Sequence, residues 1–277
     1  MKKTVLFYLL LSLSFTYCSK NNVNLDIQTI SLNFSEQLRE ENKPVCLRFN
    51  ISSEQQFINE YLFEEQVYIN ENSIDINIGK IKNNGKYTWP LSSSIPPPDN
   101  PDSLKCPARG SFILDNLQRE NYKFNIKIQG QQFIGNLKLS DQLAIINFID
   151  ESKVIIYNDS INIVPDSCIF GTYSFLNINN NGFDNLVTEL KNTHCNEIFL
   201  NPGKYRAFEI DVNGKLILNS GQAQNNEITF IYKHNMNIDE IVSVINNYVN
   251  SVPEAYGIIM HDSNGDYYNI KKPPSKY

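Results

Sequence analysis

Ile74, Ile76 and Ile78 are separated by Asp75 and Asn77, and this alternation constrains the fold more than any other feature of the chain. An extended backbone sends successive side chains to opposite faces, so one face here is apolar and the other wet. Tyr122, Phe124, Ile126 and Ile128 repeat the pattern against Lys123, Asn125 and Lys127; Gly130 turns the chain, and Phe133, Leu137 and Leu139 return. Further β-rich runs fall at 144–149, 154–157 and 162–164. Asn84-Gly85 has the residues of a tight hairpin turn, with Tyr87, Thr88 and Trp89 beginning a return strand. Short strands punctuated by turn residues predict an antiparallel β-sandwich or barrel-like domain over residues 31–165. One helix is expected inside it, with Ser53 and Gln56 as a capping box and Phe57, Tyr61 and Leu62 on one face.

After Pro165-Asp166-Ser167 the period changes. Phe183, Leu186, Val187 and Leu190 recur at helical spacing. A strand through Phe208, Ile210 and Val212 meets an Asn213-Gly214 turn and returns at 216–218, and another strand covers 228–232. Asn237 caps a second helix with Glu240 three residues on, and its apolar face is Ile238, Ile241, Val242, Ile245 and Val249. Strands at 256–260 and 267–270, around a Ser263-Asn264-Gly265 turn, complete a two-helix α+β domain over 166–277. The fold class is therefore mainly β with α+β.

The first 18 residues are read as a signal peptide and 19–30 as a polar tether. Lys2 and Lys3 precede an apolar run over 5–13 that is too short to span a bilayer, and small or polar residues lead to Cys18. With Cys18-Ser19-Lys20-Asn21-Asn22, the segment resembles the signal peptides of bacterial lipoproteins of the Bacteroidota type. That resemblance implies lipid attachment at Cys18 and a periplasmic or outer-membrane-anchored protein whose only membrane contact is the N-terminal lipid. Tyr17 departs from the small residue usual before the cysteine. A cut after Thr16 or Cys18, giving a secreted protein, is the alternative.

Export makes the remaining Cys46, Cys106, Cys168 and Cys195 candidates for disulfides, paired in sequence order as Cys46–Cys106 and Cys168–Cys195. Their spacing lacks the short chelating separation of a zinc site. The chain carries 24 Lys and Arg against 30 Asp and Glu, with no basic cluster among aromatics, so nucleic acid is not an expected partner. Trp89, Pro96, Pro97 and Pro98 belong to a long proline-rich loop that qualifies as a candidate binding arm.

Nucleophile-elbow, zincin, phosphate-loop and dinucleotide motifs are all missing from the sequence. His194, His234 and His261 have no sequence-adjacent catalytic partner. The run Asp262 to Asp266 alternates oxygens in the manner of a calcium loop, but its glycine is displaced and Pro273 stands where a closing Glu belongs; an Asn-Gly turn accounts for it. Neither metal nor cofactor is expected. Tyr267, Tyr268 and Tyr87 are candidates for stacking on sugars or peptides. The expectation is a non-catalytic envelope protein that binds an envelope or extracellular protein or polymer. The alternatives are a small-ligand carrier with a barrel pocket and an envelope glycan hydrolase whose carboxylates meet only in three dimensions.

Overall fold

The computed structural model describes residues 23–37, 45–86, 104–175, 182–192, 195–218, 227–253 and 255–271. Cys18, Trp89, Pro96, Pro97, Pro98 and His194 lie outside the described residues. The N-terminal strands are β1 (Ile30–Glu36), β2 (Val45–Phe57), β3 (Asn59–Asn70), β4 (Ser73–Lys86), β5 (Cys106–Leu117), β6 (Asn121–Ile128), β7 (Gln131–Leu139), β8 (Leu143–Phe148), β9 (Val154–Ile156) and β10 (Ser160–Asn162). They form one curled sheet in the order β10-β8-β7-β6-β4-β3-β5-β2-β1-β9. β9 pairs with β1 while β10, a few residues on, pairs with β8. One short segment thus ties the two ends of the sheet together, which gives it the barrel-like form.

Alternation decides what fills the inside. Ile74, Ile76 and Ile78 point inward with Tyr122, Phe124, Ile126 and Ile128, and all are buried. At the centre Phe49 lies 5.3 Å from Phe34, 5.2 Å from Phe112 and 5.3 Å from Phe124, ring centre to ring centre. Aromatic side chains bury large areas and gain further from stacked contacts, so these rings contribute strongly to the core.

Three expectations are corrected. The sheet is mixed rather than antiparallel throughout, because β4 runs parallel to β6 and β1 parallel to β9. No helix spans Ser53 to Leu62. Ser53 Oγ instead donates to the Gln55 carbonyl at 2.7 Å and accepts Ala108 N–H at 3.0 Å, and Phe57 and Tyr61 meet edge to face across the β2–β3 bend. Asn84-Gly85 does not reverse the chain either. Gly85 has φ +95°, but β4 stays paired with β3 as far as Lys86 opposite Asn59.

The C-terminal strands are β11 (Cys168–Phe175), β12 (Asn196–Glu197), β13 (Gly203–Lys204), β14 (Phe208–Ile210), β15 (Leu216–Leu218), β16 (Glu227–Lys233), β17 (Ala255–Asp262) and β18 (Tyr267–Lys271). Helices α1 (Gly182–Asn192) and α2 (Ile238–Ser251) accompany them. An antiparallel sheet in the order β12-β16-β11-β17-β18 packs one face on the helices, through Leu186, Leu190, Ile241, Ile245 and Val249. Its other face meets the small β13-β14-β15 sheet through Phe170, Tyr205 and Phe208. Asn237 caps α2 as its sequence predicts, its side chain accepting Asp239 N–H at 3.0 Å.

The register overturns both expected disulfide pairings. Cys106 stands opposite Phe57, while Cys46 lies at the other end of the same β2–β5 ladder beside Val45 and Leu117. At about 3.3 Å per residue that separation is on the order of 30 Å, and a disulfide requires Cα atoms within roughly 7 Å. Cys168 pairs with Lys233 from one side of β16 and Asn196 pairs with it from the other, so β16 runs between Cys168 and Cys195. Cys168 belongs to the cluster on one face of that sheet and Cys195 to the helix-side cluster on the other.

The core makes a direct prediction. Phe49→Ala removes the ring shared by three stacked contacts and is expected to cost roughly 3–5 kcal/mol, read as a lowered urea midpoint at unchanged slope; a loss below about 1 kcal/mol contradicts this packing.

Candidate functional site

The same alternation that buries phenylalanines sends small polar side chains outward. On β1 the sequence Ser31-Leu32-Asn33-Phe34-Ser35 turns Leu32 and Phe34 in and Asn33 and Ser35 out, with Ser31 on their face but buried; on β2 Phe49 and Ile51 turn in while Asn50 and Ser52 turn out. Cross-strand pairing lines these up. Asn33 lies opposite Asn50 and Asn50 opposite Ser111; Ser31 lies opposite Ser52 and Ser52 opposite Arg109. Ser31 and Ser52 share a hydroxyl–hydroxyl hydrogen bond of 2.7 Å.

This floor sits in an open groove of about 630 Å³. Tyr157 forms one wall, just past β9, with 67% of its surface exposed. It is fixed there because its N–H donates to the Leu32 carbonyl at 3.0 Å. Next to it Asn158 Nδ2 donates to Asn33 Oδ1 at 3.2 Å. The opposite wall comes from β3, whose Leu62, Phe63 and Glu65 lean over β5. The ladder between β3 and β5 has a single parallel pair, Leu62 with Arg109. Gly110 permits that approach, because a Cβ there would stand 2.8 Å from Phe63 Cβ.

Two charged residues line the groove, Arg109 and Glu65. Arg109 is ion-paired with Glu60, and Asn84 Nδ2 donates to the same carboxylate at 2.6 Å. Those two hydrogen bonds, Asn84 first and Arg109 second, hold the Glu60 carboxyl below the usual range. The groove therefore presents hydroxyls and amides, one exposed aromatic ring, the Glu65 carboxylate and a guanidinium ion-paired with Glu60. Such a surface can hold a hydroxyl-rich or amide-rich ligand and supplies no evident nucleophile.

Of the other sequence candidates, Tyr87 lies outside the described residues. Asp262 is buried, and its Oδ1 accepts the N–H groups of Asn264 and Asp266, each at 2.9 Å. Gly265 has φ +95°, so the segment is the Asn-Gly turn its sequence predicts. Among the described residues no group of three His, Cys, Asp or Glu is placed to hold a metal ion. Tyr268 packs against the helix-side core, while Tyr267 is half exposed with its ring 5.2 Å from His261. The groove was not among the sequence candidates. Its signal was present as the outward half of the β1 and β2 alternation, Asn33, Ser35, Asn50 and Ser52.

His234 comes near Asp262, the neighbour of His261 in sequence, and that approach is not visible in the sequence. His234 Nδ1 lies 3.0 Å from the Met236 carbonyl, and His261 stacks on Phe170. Burial pushes both imidazoles below their ordinary value despite the attraction of Asp262, and burial pushes the Asp262 carboxyl up.

No family model, no curated protein and no solved structure matches this chain.

The titration has a sign. With folded-state values below 6.5, the native protein binds fewer protons than the unfolded chain as pH falls through that value. Stability present above about pH 6.5 is then lost on acidification. Asp262, raised, acts oppositely in a lower window above 3.8. Thermal melts from pH 7.5 to 5 should show a falling midpoint, and His234→Gln with His261→Phe should flatten it; an unchanged slope in that double variant contradicts the assignment.

Proposed function

We propose that this chain is an exported, non-catalytic binding protein of the cell envelope and that the groove over β1, β2 and β5 is its binding surface. The observation that carries the reading is the groove itself: an open, largely uncharged surface with an exposed aromatic wall, built on a closed and tightly packed sheet. Rigid scaffolds of this kind bind without spending free energy on ordering. Export rests on the charged, apolar, then small-residue leader, and anchoring rests on Cys18. The hydrophobic clusters part between Ile163 and Val164, which supports a domain boundary near residue 165.

The carrier alternative needs an apolar chamber inside the sheet. The rings of Phe34, Phe49, Phe112 and Phe124 occupy that space. The hydrolase alternative needs two carboxyl groups facing each other across the groove, and among the residues that line it Glu65 is the one carboxylate.

Two experiments test the proposal. In source cells, Cys18→Ser should move the protein from the membrane fraction to the soluble one; unchanged membrane association overturns the anchor. The purified mature protein should co-sediment with source-cell envelopes, and Asn50→Trp, which fills the groove from an exposed position, should lose that binding at least tenfold with its melting temperature kept. Equal sedimentation by the filled-groove variant overturns the site, and breakdown of envelope material by the wild type overturns the non-catalytic reading.

A further inference from the structure

Resting on the export and anchoring read from the leader, we infer that the outward face of β6, β7 and β8 docks on the membrane surface, against anionic lipid headgroups. Alternation places Lys123 and Lys127 on that face from β6 and Lys138 from β7, all exposed. Lys123 stands opposite Asn136 and Lys138 opposite Asn121, so the two lysines are diagonal neighbours across the ladder, roughly 7 Å apart. Among the described residues none of the three ammonium groups is ion-paired. The outward positions of these three strands hold no Asp or Glu, although the chain carries 30 acidic against 24 basic side chains. Asp75, on the neighbouring β4, already accepts Asn125 Nδ2 at 3.0 Å.

Ile134 and Ile149 lie among these lysines. Ile149 N–H donates to the Ile134 carbonyl at 2.8 Å, and the two residues are 46% and 76% exposed in the order Ile134, Ile149. Ammonium groups on long apolar stems around exposed isoleucines match a surface that offers phosphates above an acyl boundary. A soluble polyanion would use the lysines and leave the isoleucines in water.

The chain enters the fold at the end of this face. Val23 N–H donates to the Ile81 carbonyl at 3.1 Å. Gln129, in the β6–β7 turn, donates to the Val23 carbonyl and accepts Leu25 N–H at 2.8 Å. Five positions separate Val23 from Cys18, and at up to about 3.6 Å each they keep a lipid there within roughly 18 Å of Val23. An acyl anchor and a basic surface hold a protein on a membrane better than either alone. β7 also lies midway round the closed strand order from β2. Docking the lysine face therefore leaves the groove turned away from the membrane and open to its partner.

The test uses the purified mature protein carrying Cys18→Ser, so that no acyl chain contributes, and vesicles of phosphatidylcholine alone or with equal parts of phosphatidylglycerol. The protein should sediment with the anionic vesicles and not with the neutral ones, and added salt should release it. Lys123→Gln, Lys127→Gln and Lys138→Gln together should weaken that binding on the order of tenfold or more, with the melting temperature kept. Lys204→Gln, Lys215→Gln and Lys233→Gln together make the same change in net charge at exposed positions of the C-terminal half and should leave binding unchanged. No sedimentation with the anionic vesicles overturns the inference, as does equal sedimentation with the neutral ones. Undiminished binding by the first triple variant, or an equal loss in the second, overturns it as well. Asn50→Trp should bind these vesicles as the wild type does; a loss there assigns the binding to the groove and overturns the lysine face. Groove failure on source-cell envelopes with vesicle binding intact removes the groove and keeps this face, and the reverse pattern keeps the groove and removes the face.

Discussion

The pairing of one short stretch with both ends of the N-terminal sheet is the constraint on which the rest depends. β9 lies parallel to β1 and β10 antiparallel to β8, with the chain between them bonded on through Tyr157 N–H to Leu32 and Ile146 N–H to the Asp159 carbonyl. Without that tie the sheet has two unpaired edges and a half-exposed aromatic core. With it the inward faces of opposite strands are brought together, and Phe49 can touch rings from β1, β5 and β6 at once. The same tie holds Tyr157 at the mouth of the groove.

The seam to the C-terminal sheet is polar where the cores are apolar. Glu36 ends β1 facing inward and is buried, and both its carboxylate oxygens accept Val164 N–H at 3.1 Å. Arg206 reaches back to donate to the Glu36 carbonyl at 2.9 Å. Arg119 donates to the carbonyls of Ser140 and Asp141 and is ion-paired with Asp166. Buried or half-buried charges are tolerated when hydrogen bonds meet them, and breaking one partner costs more than the pair contributes. These contacts fix geometry between the two sheets more than they add stability.

Period-two alternation made β4, β6 and β7 legible, because each has one wet face and one dry one. β11 was missed for the converse reason. Cys168 to Tyr173 are all buried, with helices over one face and the β13-β14-β15 sheet over the other, so the strand shows no alternation at all. The false helix at Ser53 arose because a capping-box pattern is local, while Ala108 N–H, more than fifty residues away, claims the Ser53 hydroxyl. The cysteine pairings failed similarly: sequence gives separations along the chain, and strand register decides separations in space. None of the groove was read as a site, since its members come from β1, β2, β3, β5 and the segment after β9.

A closed sheet with a filled interior shifts function to its outside. Most inward positions on β1 and β2, among them Ile30, Leu32, Phe34, Val45, Leu47, Phe49 and Ile51, carry large side chains that the core needs, so variation there is costly. Outward positions escape that restriction, and on this stretch they hold serine and asparagine, short side chains that leave a depression between the taller Tyr157 and the overhang of β3. Depth in the groove thus comes from residue size on the pleat together with Tyr157 in the connection after β9. Because the floor belongs to paired strands, its hydroxyls and amides are held in a fixed array with the spacing of the sheet, about 4.8 Å across strands and close to 7 Å between alternate residues along them. A ligand that repeats polar groups on a similar scale can meet several at once, and each contact needs no rearrangement of the protein to form.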